Sequence, residues 1–532
     1  MNSRIQGLRR ESLDTAESLS PERALLVTRF YESGVAQKES VPVQRALCFR
    51  HIMENKALWI GSGELIVGER GPAPKATPTY PEICLHSSAD LEILHSREKV
   101  SFQVSAGTRE VYEKTVIPFW KGKTIREKIF KEMDPEWIAA YEAGIFTEFQ
   151  EQRTPGHTVL GDKIYKKGFL EIKADIRATL AEIDYFGDPA AMEKRHQLQA
   201  MDIAADGLIA YALRHAEELD RRAEAETDTH RRSELHRMAE ICRRVPAHAP
   251  ATFWEALQYY WFVHIGVITE LNPWDAFNPG RLDQHLYPFY RRERQAGTLT
   301  EERARELLQA FWIKFNNHPS PPKTGVTARE SNTYTDFALI NLGGLTQEGA
   351  DGVNYLTYLM LDVIEEMRLL QPSSMVQVSK KNPDRFLKRA LKIIRTGFGQ
   401  PSVFNTDAII QELVGQGKRI EDARCGGASG CVESGAFGKE AYFLTGYFNI
   451  PKILELTLYN GTDPMTGKVI GLKTGPVHRF TDFDTFFEAF RRQLRHFVDI
   501  KIKGNNIIER LHSRHRSEEH TSEHQSLLII SY

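Results

Sequence analysis

Residues 424–435 read Arg-Cys-Gly-Gly-Ala-Ser-Gly-Cys-Val-Glu-Ser-Gly, with glycine at 426, 427, 430 and 435. So much glycine leaves too little side-chain bulk for a packed helix or strand, while it permits positive φ and close backbone approach. In a locally extended backbone, residues i and i+2 point the same way, so Cys431 and Glu433 can both face one small cavity. A sulfur centre beside a proton-transfer group suits concerted chemistry on a small molecule. The competing reading is a glycine-rich turn with an incidental buried cysteine.

The rest of the composition narrows the function classes. The chain has 532 residues, 41% hydrophobic and 26% charged, with a net charge of −2. These values are ordinary for a globular protein and give no electrostatic reason to expect nucleic acid or an acidic membrane as partner. Residues 1–20 are polar and charged, without the apolar core of a secretory signal, and no uninterrupted apolar run is long enough to span a membrane. The cysteines, Cys48, Cys84, Cys242, Cys425 and Cys431, are scattered and lack zinc-ligand spacing, which argues against a metal site and for the reducing cytoplasm.

Periodicity predicts helices over 21–33, 41–55, 190–225, 250–267, 300–316, 353–368 and 383–397. Four prolines make 71–82 an irregular loop. Short apolar runs at 338–342, 374–378, 402–405 and 450–458 read as buried strands. Strands alternating with helices predict an α/β architecture with a substantially parallel sheet or barrel, in one large domain. Beyond residue 511 the composition shifts abruptly to Ser, His and Glu. Residues 512–532 therefore read as a foreign or artefactual tail on a partial domain, 1–511.

The segment from Cys431 through Phe437-Gly-Lys-Glu-Ala-Tyr-Phe-Leu-Thr-Gly-Tyr447 resembles the glycyl radical enzymes of the formate acetyltransferase and diol dehydratase superfamily. Supporting blocks are Asn278-Pro-Gly-Arg-Leu-Asp-Gln284, Asn341-Leu-Gly-Gly-Leu-Thr346, Gln371-Pro-Ser-Ser374 and Phe404-Asn-Thr-Asp407. A single Cys followed by Val-Glu resembles the dehydratase and lyase branch. Within it, Thr147-Glu-Phe149, Gly156-His157-Thr158, Asn272-Pro-Trp-Asp275, Arg329-Glu-Ser331 and Thr445-Gly-Tyr447 are similar to the hydroxyproline dehydratases.

The resemblance implies a ten-stranded α/β barrel of two antiparallel half sheets surrounded by helices, here incomplete at the C-terminus. It implies that Cys431 carries a thiyl radical with Glu433 as neighbouring acid/base. His157 and Asp275 would hold the substrate hydroxyl or amine, Ser331 its carboxylate, and Phe149 and Tyr447 would wall the ring of a hydroxylated imino acid. No bound cofactor or metal is expected, since a separate radical S-adenosylmethionine activating enzyme would install the radical. A homodimer is also expected, with neither nucleic acid nor membrane as partner. The family stores its radical on a glycine in an Arg-Val-(Ala/Ser)-Gly-Tyr type motif that these 532 residues do not contain. The polypeptide as written is therefore expected to be inactive, with apolar faces left uncovered. Three alternatives stay open: another radical eliminase, a conventional cysteine hydrolase, or a non-catalytic paralogue.

Overall fold

A computed structural model describes residues 1–148, 157–271, 277–328, 337–430, 432–442 and 446–516. At its centre lies the helix Phe253–Glu270, in which every residue but Trp254 is buried. A helix apolar all round stays helical only when covered on every side. The helix Ala191–Ala225 packs beside it, along Val41–Asn55 and Thr229–Arg244. Glycine allows the close crossings: a Cβ at Gly266 would sit 2.6 Å from Leu208 Cδ2, and one at Gly207 would sit 3.1 Å from the Arg50 Cα. Tyr259, Tyr260, Trp261, Phe262, Phe311 and Trp312 fill the surrounding core. Each such side chain contributes about 1.5–3 kcal/mol by leaving water.

Leu339–Gly343, Ser373–Val378 and Ser402–Asn405 form a parallel sheet in that order, joined by the crossover helices Tyr355–Met367 and Asp384–Ile394. Parallel bridges Gly280↔Ile340 and Val159↔Asn278 carry the ladder on to 278–280 and then to 157–159. The antiparallel pair 441–442 with 157–158 closes that edge. The sheet and its crossovers agree with the α/β expectation.

Two expectations need correcting. The run 450–458 is a helix, not a strand: Asn449 caps it by accepting from the Lys452 amide at 3.1 Å, and Pro451 sits in its first turn. Ile453, Leu456 and Thr457 are buried on one face, while Ile450, Leu454 and Leu458 are exposed on the other. A short apolar run does not distinguish strand from helix; the cap and the first-turn proline do. The glycine-rich stretch also forms short strands after all, Gly427–Ser429 against Glu433–Gly435. In the 71–82 loop, Ala76–Thr77 pairs with Ser18–Leu19.

A second core joins Ile125–Glu132 and Pro135–Glu142 to Ile450–Leu458 and the long helix Phe483–Arg516. That helix runs across the 511/512 boundary, with Leu511 and His512 buried. Exposed apolar side chains gather nearby, among them Tyr447, Ile450, Leu454, Phe483 and Phe487.

Candidate functional site

The stretch around Cys431 is an antiparallel hairpin in which Gly427 faces Gly435, Ala428 faces Ser434 and Ser429 faces Glu433. Gly430, next after the first strand, has φ +54°, and Val432 directly precedes the second. The Val432 amide donates to Glu433 Oε2 at 3.1 Å, and the Glu433 side chain is half-buried.

The hairpin lies on three buried carboxamides that rise from the sheet. Asn341 Nδ2 donates to the Ala428 carbonyl at 2.9 Å, and its Oδ1 accepts from the Ala428 amide at 3.2 Å. Gln377 Nε2 donates both to Asn341 Oδ1 and to the Gly426 carbonyl, each at 3.0 Å. Asn278 Nδ2 donates to Ser429 Oγ at 2.6 Å, while its Oδ1 accepts from the Leu339 amide. This close seating explains the glycines. A Cβ at Gly427 would collide with Gln377 and Asn341, and one at Gly426 with the Gly435 carbonyl.

The block Asn278–Gln284 braces the same end of the sheet. Arg281 donates to the carbonyls of Gly343 at 2.6 Å and Leu345 at 2.7 Å, and to that of Arg424. Asp283 Oδ2 accepts from the Gly343 amide at 2.8 Å and from Thr357 Oγ1 at 2.6 Å. Burial pushes the Asp283 carboxyl up to about 6, against these bonds and Arg281. Cys425, half-buried at the foot of the hairpin, has its thiol raised by burial, with Arg281 opposing. A cleft of about 1000 Å³ opens there beside Lys163, Arg281, His285, Cys425 and Phe437.

Of the residues singled out in the sequence, Glu433 and Tyr447 are described in full. Cys431, Phe149, Asp275 and Ser331 lie outside the described residues, as does the side chain of His157. Backbone pairing locates their neighbours. His157 is opposite Tyr442 in the edge pair, and 159 bridges to 278, next to the sheet on which the hairpin rests. Tyr447 is opposite Thr147 in the antiparallel pair of Gly446–Phe448 with Phe146–Glu148. Tyr447 itself is 54% exposed.

Sequence reasoning missed the roles of Asn278, Asn341 and Gln377. The available signal was a polar amide inside an apolar strand, in Leu-Ile-Asn-Leu and Met-Val-Gln-Val. Such a residue needs buried partners, because an unpaired amide there is expensive.

Residues 1–523 match the model of the pyruvate formate lyase-like family, and the chain belongs to that family of glycyl radical enzymes. It is 55% identical over 512 residues to the trans-4-hydroxy-L-proline dehydratase of Clostridioides difficile, covering 96% of this chain and 65% of that protein. The solved hydroxyproline dehydratase of that organism, with trans-4-hydroxy-L-proline bound, matches with a TM-score of 0.94 at 53% identity, over 100% of this chain and 66% of the other. The glycerol-bound, B12-independent glycerol dehydratase of Clostridium butyricum matches at 0.89 and 30%, over 97% of this chain and 65% of the other. The isethionate sulfite-lyase of Oleidesulfovibrio alaskensis is 29% identical, over 94% of this chain and 62% of its own length. The chain thus spans a little under two thirds of the relatives it matches.

Proposed function

We propose that this chain is the cysteine-bearing part of a radical dehydratase that converts trans-4-hydroxy-L-proline to 1-pyrroline-5-carboxylate. The observation that carries the reading is the 55% identity to a protein named for that substrate, roughly twice that to the isethionate lyases.

In this reading the Cys431 sulfur takes a hydrogen atom from the ring carbon beside the hydroxyl-bearing carbon. That step is out of reach for acid/base groups alone. Glu433 protonates the departing hydroxyl, which leaves as water, and the substrate radical gives up a proton in exchange. The hydrogen atom then returns from Cys431 to carbon, so the sulfur ends as it began and the net loss is one water. His157 and Asp275 hold the hydroxyl and the ammonium, Ser331 holds the carboxylate, and Phe149 and Tyr447 bracket the ring. The oxidising equivalent for Cys431 is the glycine radical of this family, installed by a separate activating enzyme. Activity further requires that glycine, which the 532 residues do not include. A cytoplasmic homodimer completes the proposal; among the described residues no helix is long and apolar enough to cross a membrane.

Substrate choice is testable without the radical. Calorimetric titration should show saturable binding of trans-4-hydroxy-L-proline and none of glycerol, choline or isethionate. Ser331→Ala and Asp275→Asn should each weaken binding about tenfold or more, the loss of a hydrogen bond to a charged group. Preference for glycerol or isethionate, or indifference to both substitutions, would refute the assignment.

A further inference from the structure

We infer that Asn278, Asn341 and Gln377 are positioning residues for the reacting pair, a carboxamide bench that holds the two hairpin strands flanking Cys431 in the sequence, the second of which begins at Glu433. This deepens the proposed function and rests on it for the word reacting, but the bench itself is argued from this chain's own geometry.

Among the described residues, the strand Gly427–Ser429 has a backbone partner on one edge only, Glu433–Gly435. On its other side the Asn341 carboxamide makes the paired bonds a neighbouring strand would make, one to the Ala428 amide and one to its carbonyl. A three-residue strand held by one short hairpin partner frays readily. With a second, side-chain partner it is pinned along its length. Gln377 pins the residue before the strand through the Gly426 carbonyl, and Asn278 pins its last residue through Ser429 Oγ, two positions before Cys431.

The bench is rigid for separate reasons. Asn278 and Asn341 are fully buried and Gln377 is 1% exposed. The three project from neighbouring segments of one continuous ladder, 278–280, 339–343 and 373–378. Thr406 Oγ1 donates to Gln377 Oε1 at 3.5 Å, and Asn341 Oδ1 accepts the Gln377 amide, so the orientations of both groups are coupled. Glycine at 427 lets the hairpin drop onto the amides with no Cβ between, and glycine at 426 leaves room for the Gly435 carbonyl. Radical transfer needs the sulfur held near van der Waals contact with one carbon, and a displacement of about 1 Å from the productive geometry can cost about a hundredfold in rate.

The test uses the whole chain and readouts that a general loss of stability would not produce. Hydrogen exchange of peptides covering 426–435 is compared with those of the central helix 253–270. Alkylation of Cys431 by iodoacetamide is followed by peptide mass mapping, with Cys425 as internal reference. Asn341→Ala and Gln377→Ala should speed exchange of 426–435 about tenfold or more while the central helix is unchanged, and should change the Cys431 rate relative to Cys425 at least severalfold. Ser429→Ala, which removes only the partner of Asn278, should give a smaller change of the same kind and serves if Asn341→Ala does not fold. Restoring a shorter amide, Gln377→Asn, should recover part of the protection that Gln377→Ala loses. Exchange that is unchanged, or that rises equally everywhere, with a constant Cys431 to Cys425 ratio, overturns the inference. A chain that fails to bind trans-4-hydroxy-L-proline yet shows these local effects would sink the substrate assignment and leave the bench standing.

Discussion

Replacing Lys314 by methionine should destabilise the protein by about 3–5 kcal/mol, the range for removing one member of a buried ion pair. Lys314 is 2% exposed. Its Nζ lies 2.9 Å from Glu64 Oε1 and also contacts Glu69 Oε1. Glu69 has further support from Asn317 Nδ2 at 3.2 Å and from His318 Nε2 at 3.0 Å. Burial pushes both carboxyls up. For Glu69 the cations outweigh it and hold the group at about 2, whereas Glu64, with fewer partners, stays raised. A carboxyl held at about 2 against its usual 4.5 is worth about 3 kcal/mol at neutral pH, which agrees with the range for the pair. That contribution is present above 4.5 and is lost as pH falls through 2. Without Lys314 both carboxyls lose their strongest cationic partner, so Glu64 rises further and Glu69 rises with it, and stability is lost progressively as pH climbs. In urea, at a slope of about 3 kcal/mol/M or more, the midpoint should fall by up to about 1.7 M. The deficit should be larger at pH 8 than at pH 5. A midpoint within about 0.2 M of the parent, or a deficit that shrinks with rising pH, refutes the reasoning.

Gly427→Ala should lower stability by about 1–3 kcal/mol in urea titration, since its Cβ would meet the Gln377 and Asn341 amides and stand 2.6 Å from Phe437 Cζ. Arg281→Lys should cost about 2–4 kcal/mol, because an ammonium cannot reproduce the guanidinium fork that serves the carbonyls of Gly343, Leu345 and Arg424. Asp283, raised by burial to about 6 from its usual 3.8, makes its contribution below 3.8 and loses it as pH climbs through 6, about 3 kcal/mol in all. Asp283→Asn should therefore flatten the pH dependence of unfolding between these values; an unaltered slope would show that another group carries it. Asn354, whose side chain accepts from the Leu356 and Thr357 amides at 2.9 and 3.2 Å, should cost about 0.5–2 kcal/mol when replaced by alanine.

The long elements were legible because their signals are local and redundant. The helices 41–55 and 191–225 carry apolar positions at helical spacing over many turns, and the run 402–405 is bounded as a strand should be. The run 450–458 misled because nine apolar-rich residues fit either period, and its cap and first-turn proline were passed over. The glycine-rich stretch misled in the opposite direction. Its strands are stable not through their own bulk but because Asn341 and Gln377 reach them from elsewhere in the chain. The polar groups of the candidate site were legible as residue types, and Glu433 opens the second strand of the hairpin, opposite Ser429. The amides beneath it were not, since a carboxamide in a strand acquires its role only when the facing backbone is known.

By itself the sequence determined most of the helical segments, the parallel α/β alternation and a short glycine-rich segment able to carry sulfur beside a carboxyl. Each depends on spacing between near neighbours, which the backbone geometry converts directly into faces and turns. Tertiary structure alone decided that the glycines at 426 and 427 exist for close approach, that Asn278, Asn341 and Gln377 form one seat beneath the hairpin, and that Glu69 is the better-partnered carboxylate of the two on Lys314. Those are pairings between groups tens to hundreds of residues apart, and their energy depends on distance and burial, which no local pattern of residues encodes.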